Sequence, residues 1–204
     1  MNDKMINNIH EIYKNNNDHE IHQLISNYFK PSQLEKQNNA EIPTPLILVN
    51  EMLNIIPSNF WESPKKIFEP CCGKGNFIMK IFERFNNGLK NKYPDSIKRC
   101  KIIINECLYY ADLTKINVFI TTKILKCEVE KITKKNNIKL QFNSYTGDTL
   151  EMNIKKKFDA VITNPPYQKN DENNKSIGGT NLYTKFINKS FELLDDDGYL
   201  IFIN

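Results

Sequence analysis

The sequence predicts an α/β fold, a mostly parallel sheet with helices on both faces. Two observations carry this. Short β-like runs alternate with helical segments from about residue 66 to residue 203. The residues with unusual chemistry also fall where those runs end, which is where open parallel sheets place their ligands.

Residues 1–40 stand apart as an N-terminal helical extension. Apolar residues recur at helical spacing at Ile6, Ile9, Ile12 and Tyr13, then at Ile21, Leu24, Ile25 and Tyr28, with Asn15-Asn16-Asn17 between. The main domain is expected over 41–204. Thr44-Pro45 followed by Leu46, Val49, Met52, Leu53 and Ile56 predicts a helix capped by threonine, with proline at its first position.

Lys66 to Glu69 reads as the first strand, and it runs into Pro70-Cys71-Cys72-Gly73-Lys74-Gly75 before a helix over 76–85. Ile102 to Glu106 reads as the second strand and 112–126 as its helix. Lys139 to Tyr145 is the expected third strand, leading to Gly147-Asp148. Phe158 to Thr163 is the fourth and ends at Asn164-Pro165-Pro166-Tyr167. A helix over 183–194 and a fifth strand over 199–203 follow, with the Asp197-Gly198 turn between them.

Composition narrows the function classes. Five cysteines without C-x-x-C spacing argue against a disulfide scaffold or a zinc knuckle and suggest a reducing, intracellular setting. No apolar run reaches bilayer length, so a soluble protein is expected. His10, His19 and His22 are the only histidines, so imidazole-dependent hydrolysis and the usual zinc-hydrolase ligand sets are not expected in the main body. A net charge of +4 is compatible with a nucleic-acid partner without arguing for one.

Gly73 and Gly75 let the backbone approach a ligand at a helix N-terminus, although a structural turn accounts for them equally well. Glu106, at the expected end of the second strand, is either a solvated glutamate or an acceptor for two ribose hydroxyls, and Asp148 can accept from an adenine amine. Asn164-Pro165-Pro166-Tyr167 is the most specific signal. Its prolines donate no hydrogen bond, so the Asn164 side-chain oxygen and the Pro165 carbonyl can both face one NH2 group, with Tyr167 stacking on a planar partner.

At this point the chain resembles the amino-group DNA methyltransferases. Phe68-Glu-Pro-Cys-Cys-Gly-Lys-Gly-Asn-Phe77 is similar to their cofactor loop, and Asn164-Pro-Pro-Tyr167 to their catalytic tetrapeptide. Tyr145-Thr-Gly-Asp148 resembles the loop at the cofactor's adenine, Glu106 with Asn117 the acid–asparagine pair, and Glu41-Ile-Pro-Thr44-Pro45 the segment at the methionine end. The last departs from the family pattern, with Pro43 where an aromatic is usual. The segment from Asn181 through Tyr183 and Phe186 to Ile203 resembles the helix and fifth strand that follow the catalytic loop.

The resemblance covers about residues 41 to 203 and implies a Rossmann-like fold that binds S-adenosyl-L-methionine. It implies cofactor contacts at Thr44, Glu69, Cys71, Gly73, Gly75, Glu106, Asp148 and Asn164, and a catalytic role for Asn164, Pro165, Pro166 and Tyr167. It further implies direct methyl transfer to the N6 amine of adenine in DNA, without a metal. Cys71 and Cys72 are expected to pack rather than act as nucleophiles. Other readings remain open here: an RNA adenine or a protein glutamine amide as acceptor, a non-catalytic cofactor- or nucleic-acid-binding subunit, or a nicotinamide dehydrogenase, which the isoleucine at position 78 disfavours.

The fold is expected to stop after its fifth strand, without a target-recognition region. Residues 1–40 hold five acids against four lysines, a poor footprint for DNA. The chain is therefore expected to be a catalytic half with an exposed sheet edge, pairing with itself or with a second polypeptide that supplies recognition. Weak sequence-specific methylation is expected of it alone.

Overall fold

The computed structural model describes residues 44–166 and 182–203. The helices expected over 1–40, the segment 41–43, Tyr167 and Asn181 lie outside the described residues.

Helix α1 spans Leu46–Leu53 and is followed by a 3-10 turn over Ser58–Glu62. Strand β1 is Ile67–Glu69 and leads into α2, Asn76–Gly88. Helix α3, Ser96–Ile102, runs on through a π-helical turn at Ile103–Cys107 into β2, Leu108–Asp112. Helix α4 is Lys115–Thr133, β3 is Asn143–Thr146 and β4 is Phe158–Thr163. Helix α5, Leu182–Leu193, passes directly into β5, Leu194–Phe202.

The five strands form one sheet in the order β3-β2-β1-β4-β5, and every pairing is parallel. Side chains alternate between its faces. Ile67 and Tyr110 enter the larger core with α1, α2, α3 and α4, built on residues such as Leu53, Phe82, Phe85 and Ile124. Phe68 and Tyr109 enter a smaller core on the opposite face, where Phe68 stacks on Phe158 at 5.0 Å beside Leu193.

The second strand lies six residues beyond its expected position. The Ile102-Ile103-Ile104 run suits a strand, but the Asp95 side chain caps α3 by accepting from the Lys98 N–H at 2.6 Å, and the helix runs through that segment. Fully buried Cys100, Ile103, Ile104 and Cys107 repeat at helical spacing, so burial follows the helix rather than a strand. Glu106 is consequently exposed on the π-turn, at the opposite end of β2 from the ligand-binding edge.

Other departures are smaller. The third strand begins at Asn143, because the Asn143 amide turns back to donate to the Ile104, Asn105 and Leu108 carbonyls. The fifth begins at Leu194, and Asp195–Gly198 swings out of its pairing with β4 before Tyr199 resumes it opposite Ala160. Thr44 does not cap α1: Pro45 is the N-cap residue, and no side chain bonds the first turn.

Candidate active site

Strand order reverses between β1 and β4, where the connections leave the sheet in opposite directions and open a crevice. The loop after β1 and Asn164 after β4 follow the two strands that meet at this reversal point. The Cys72 N–H donates to the Ala111 carbonyl at 2.8 Å, and the Gly75 N–H to the Cys72 carbonyl at 2.9 Å. Gly73 and Gly75 both hold positive φ, +51° and +88°. A Cβ on Gly75 would lie 2.9 Å from Thr121 Oγ1, so glycine is required there for loop–helix packing. A Cβ on Gly73 would meet nothing within 4 Å among the described residues, which leaves that stretch of backbone open to a ligand.

Asp112, the last residue of β2, holds this loop in place. Its Oδ2 accepts from the Gly73 N–H at 2.9 Å, and its Oδ1 from the Thr114 N–H at 2.8 Å and the Asn117 amide at 3.1 Å. Burial raises its pKa, and these donors work against that rise. Asp112, not Glu106, is therefore the acid that closes the second strand, and the placement of Glu106 at the ribose is corrected. Asn117 does lie beside an acid, but that acid is Asp112 rather than the expected Glu106. The signal was available in the sequence, since the apolar run Leu108-Tyr109-Tyr110-Ala111 ends in aspartate.

The loop after β3 joins the same edge. Gly147 donates to the Asp112 carbonyl at 3.0 Å, and the Thr149 hydroxyl to the Pro70 carbonyl at 2.9 Å. Asp148 folds one carboxylate oxygen onto the Leu150 N–H at 3.0 Å. Glu69 is buried at the end of β1 with Oε2 unpartnered among the described residues, and burial, reinforced by Asp112, raises its pKa well above the ordinary value. The same burial, with Asp112 and Glu69 nearby, pushes the Cys71 and Cys72 thiols well up, so both stay protonated at neutral pH.

After β4, the Asn164 amide nitrogen donates to Thr44 Oγ1 at 3.1 Å, while its Oδ1 is buried and has no partner among the described residues. Pro165 is buried and Pro166 partly so. The structure thus brings Thr44, Glu69, Cys71, Gly73, Gly75, Asp148, Asn164, Pro165 and Pro166 to one edge of the sheet and leaves Glu106 away from it. Among the described residues no cluster of three histidine, cysteine or acidic side chains is arranged to hold a metal, and no helix is long and apolar enough to cross a membrane.

A five-stranded parallel sheet in this order, with a glycine loop and carboxylates at its reversal point, is the Rossmann-like fold of the class I S-adenosylmethionine-dependent methyltransferases. A class I methyltransferase structure from Listeria monocytogenes shares it with a TM-score of 0.55 at 17% identity, over 95% of this chain and 53% of that one. The chain belongs to the Eco57I restriction-modification methylase family, whose model matches residues 7–204. It is 26% identical over 207 residues to the type II methyltransferase M.VspI of Vibrio sp. strain 343, covering 96% of this chain and 44% of that protein. The structure of a DrdV–DNA complex matches with a TM-score of 0.63 at 17% identity, over 93% of this chain and 23% of that one. The chain thus spans less than half the length of M.VspI.

The cofactor of this fold and family is S-adenosyl-L-methionine, and the site has the character such a ligand needs. Among the described residues, nothing covers the backbone at Gly73 and Glu69 Oε2 is a buried oxygen without a partner. Glu69, Asp112 and Asp148 bring three carboxyl groups around Cys71, groups that a ligand with a cationic sulfur and an ammonium would draw toward their charged form.

Proposed function

We propose that this chain is the cofactor-binding and catalytic domain of an enzyme that methylates the N6 amine of adenine in DNA. The observation that carries the proposal is the buried Asn164 Oδ1, unpartnered among the described residues, at the same sheet edge as the glycine loop. Leaving such an acceptor unmatched costs about 1–3 kcal/mol, which an N–H donor on the substrate removes. Membership of a restriction-modification family and likeness to a type II methyltransferase support DNA as the partner.

In this reading Glu69, Cys71, Gly73, Gly75 and Asp148 line the cofactor, with Asp112 in the ribose role that the resemblance placed on Glu106. S-adenosyl-L-methionine supplies an electrophilic methyl group. Asn164 Oδ1 and the Pro165 carbonyl accept from the adenine NH2, which concentrates electron density on a nitrogen whose lone pair is otherwise delocalised into the ring. These acceptors act most strongly as the nitrogen becomes positive in the transition state. Pro165 and Pro166, having no N–H, put no competing donor beside the amine. Tyr167, by its place in the tetrapeptide, stacks on the displaced base. Stacking of this kind is worth roughly 1–3 kcal/mol and offsets part of the cost of flipping.

The test is methyl transfer from radiolabelled cofactor to unmethylated single-stranded and mismatched oligonucleotides, to structured RNA and to a glutamine-bearing protein, with nucleoside analysis of the product. N6-methyladenine in DNA is the expected product, and Asn164→Ala should remove most transfer while cofactor affinity is nearly kept. Label in RNA or protein alone, or wild-type turnover by Asn164→Ala, overturns the proposal.

A further inference from the structure

Thr44 precedes a proline and a helix, so its hydroxyl is the natural cap for α1, yet it bonds nothing in that helix. It accepts instead from Asn164 Nδ2 at 3.1 Å, across 120 residues of chain. The Thr44 backbone is held from the other side, where the Asn76 amide donates to its carbonyl at 2.8 Å. Asn76 is the first residue of α2, directly after Gly75 of the cofactor loop. Thr44 is itself buried, at 7% exposure. One residue therefore ties the glycine loop to the asparagine after β4, and does so through different groups.

We propose that Thr44 is a positioning residue for Asn164 rather than a contact of the cofactor's methionine end. This rests on the proposed role of Asn164 at the acceptor amine. An asparagine amide has one accepting end and one donating end, and only the accepting end serves an NH2 substrate. By receiving the N–H, the Thr44 hydroxyl turns the donating end of Asn164 away and leaves Oδ1 as the free end. Without that partner a buried NH2 loses its acceptor, and the amide is no longer held to one of its two orientations. In the other orientation a donor faces the donor on the substrate, and transfer stops. Because Asn76 fixes the Thr44 backbone to α2, the Asn164 amide is also held in register with the loop that binds the methyl donor.

The experiment compares Thr44→Val, which keeps the shape and loses the hydroxyl, with Thr44→Ser, which keeps the hydroxyl. Cofactor affinity is measured by calorimetry and transfer to single-stranded DNA by single-turnover assay. Thr44→Val should lower the transfer rate tenfold or more, with cofactor affinity within about twofold of wild type. Thr44→Ser should stay within about threefold of wild type in both. Should Thr44→Val not fold, Thr44→Ala carries the same comparison.

A second readout is independent of the acceptor. In chain labelled with 15N-asparagine, the Asn164 side-chain pair, identified by its loss in Asn164→Ala, should be protected from hydrogen exchange. That protection should collapse in Thr44→Val and persist in Thr44→Ser. Weakened cofactor binding with an unchanged transfer rate, an equal loss in the serine variant, or unchanged protection in Thr44→Val overturns the proposal. If wild type labels no DNA, the reading of the acceptor fails, and the exchange measurement still decides the role of Thr44.

Discussion

The Asp112 carboxylate reaches from the end of β2 to the backbone N–H of Gly73 at 2.9 Å, so one acidic side chain sets the shape of the glycine loop. The same residue accepts from Gly147 through its backbone carbonyl, at 3.0 Å. Loops after three parallel strands thus meet at a single aspartate.

Asp112→Ala should therefore damage both folding and cofactor binding. It removes the hydrogen bonds from Gly73, Thr114 and Asn117 to a carboxylate, and bonds to charged groups are worth about 1.5–3 kcal/mol each, less than additively where they share an atom. A fall in melting temperature together with at least a tenfold loss of S-adenosylmethionine affinity is expected. Glu106→Ala, on the exposed π-turn, should leave affinity within twofold of wild type. A calorimetric titration of the two variants decides between the acids, and an affinity loss in Glu106→Ala alone would restore the ribose to Glu106.

That pair also shows how far the sequence could be read. Strand β4 is found at the predicted residues, because a buried apolar run bounded by charged residues and Asn-Pro-Pro has few other conformations. Strand β1 and α2 are fixed by the glycines between them. The second strand was misplaced because Ile102-Ile103-Ile104 satisfies strand propensity, while the helical spacing from Cys100 to Cys107 decides what is buried. Moving that strand moved the acid from Glu106 to Asp112. The role of Thr44 was hidden for another reason. The hydroxyl of a threonine before Pro45 suits a cap, and its bond to a residue 120 positions away has no local signature.

The two loop glycines should separate stability from binding. Gly75→Ala places a methyl group 2.9 Å from Thr121 Oγ1, at a φ of +88°. Thr121 is fully buried, and its hydroxyl bonds the Gly73 carbonyl at 3.2 Å, so it has little room to yield. A loss of about 2–4 kcal/mol in chemical denaturation is expected, from strain and overpacking together. Gly73→Ala costs only the left-handed conformation, about 1–2 kcal/mol, because its methyl group meets nothing within 4 Å. That methyl group projects into the proposed cofactor site and should weaken binding tenfold or more. The prediction fails if Gly73→Ala binds S-adenosylmethionine as wild type does, or if Gly75→Ala is the more stable of the two.

Glu69 gives the chain a pH dependence of defined sign. Burial first, and then the neighbouring Asp112, raise its pKa in the folded state well above the ordinary value of 4.5. Between that value and the raised one, the folded chain keeps a proton that the unfolded chain has released. The contribution of this group to stability is therefore full below about pH 4.5 and is lost as pH rises toward the folded pKa. Glu69→Gln, which imitates the protonated acid, should flatten that decline in the cofactor-free chain, so that its melting temperature gains on wild type as pH rises. A cationic ligand reverses the balance. In the proposed site the sulfonium and ammonium of S-adenosylmethionine favour the carboxylate, so binding expels the proton from Glu69 and tightens with increasing pH. Titrations in two buffers of different ionisation enthalpy measure that release directly. Proton release should be present in wild type and absent in Glu69→Gln. Equal release by both forms would place the titrating group elsewhere, and none in wild type would mean that the ligand's positive charge does not reach β1.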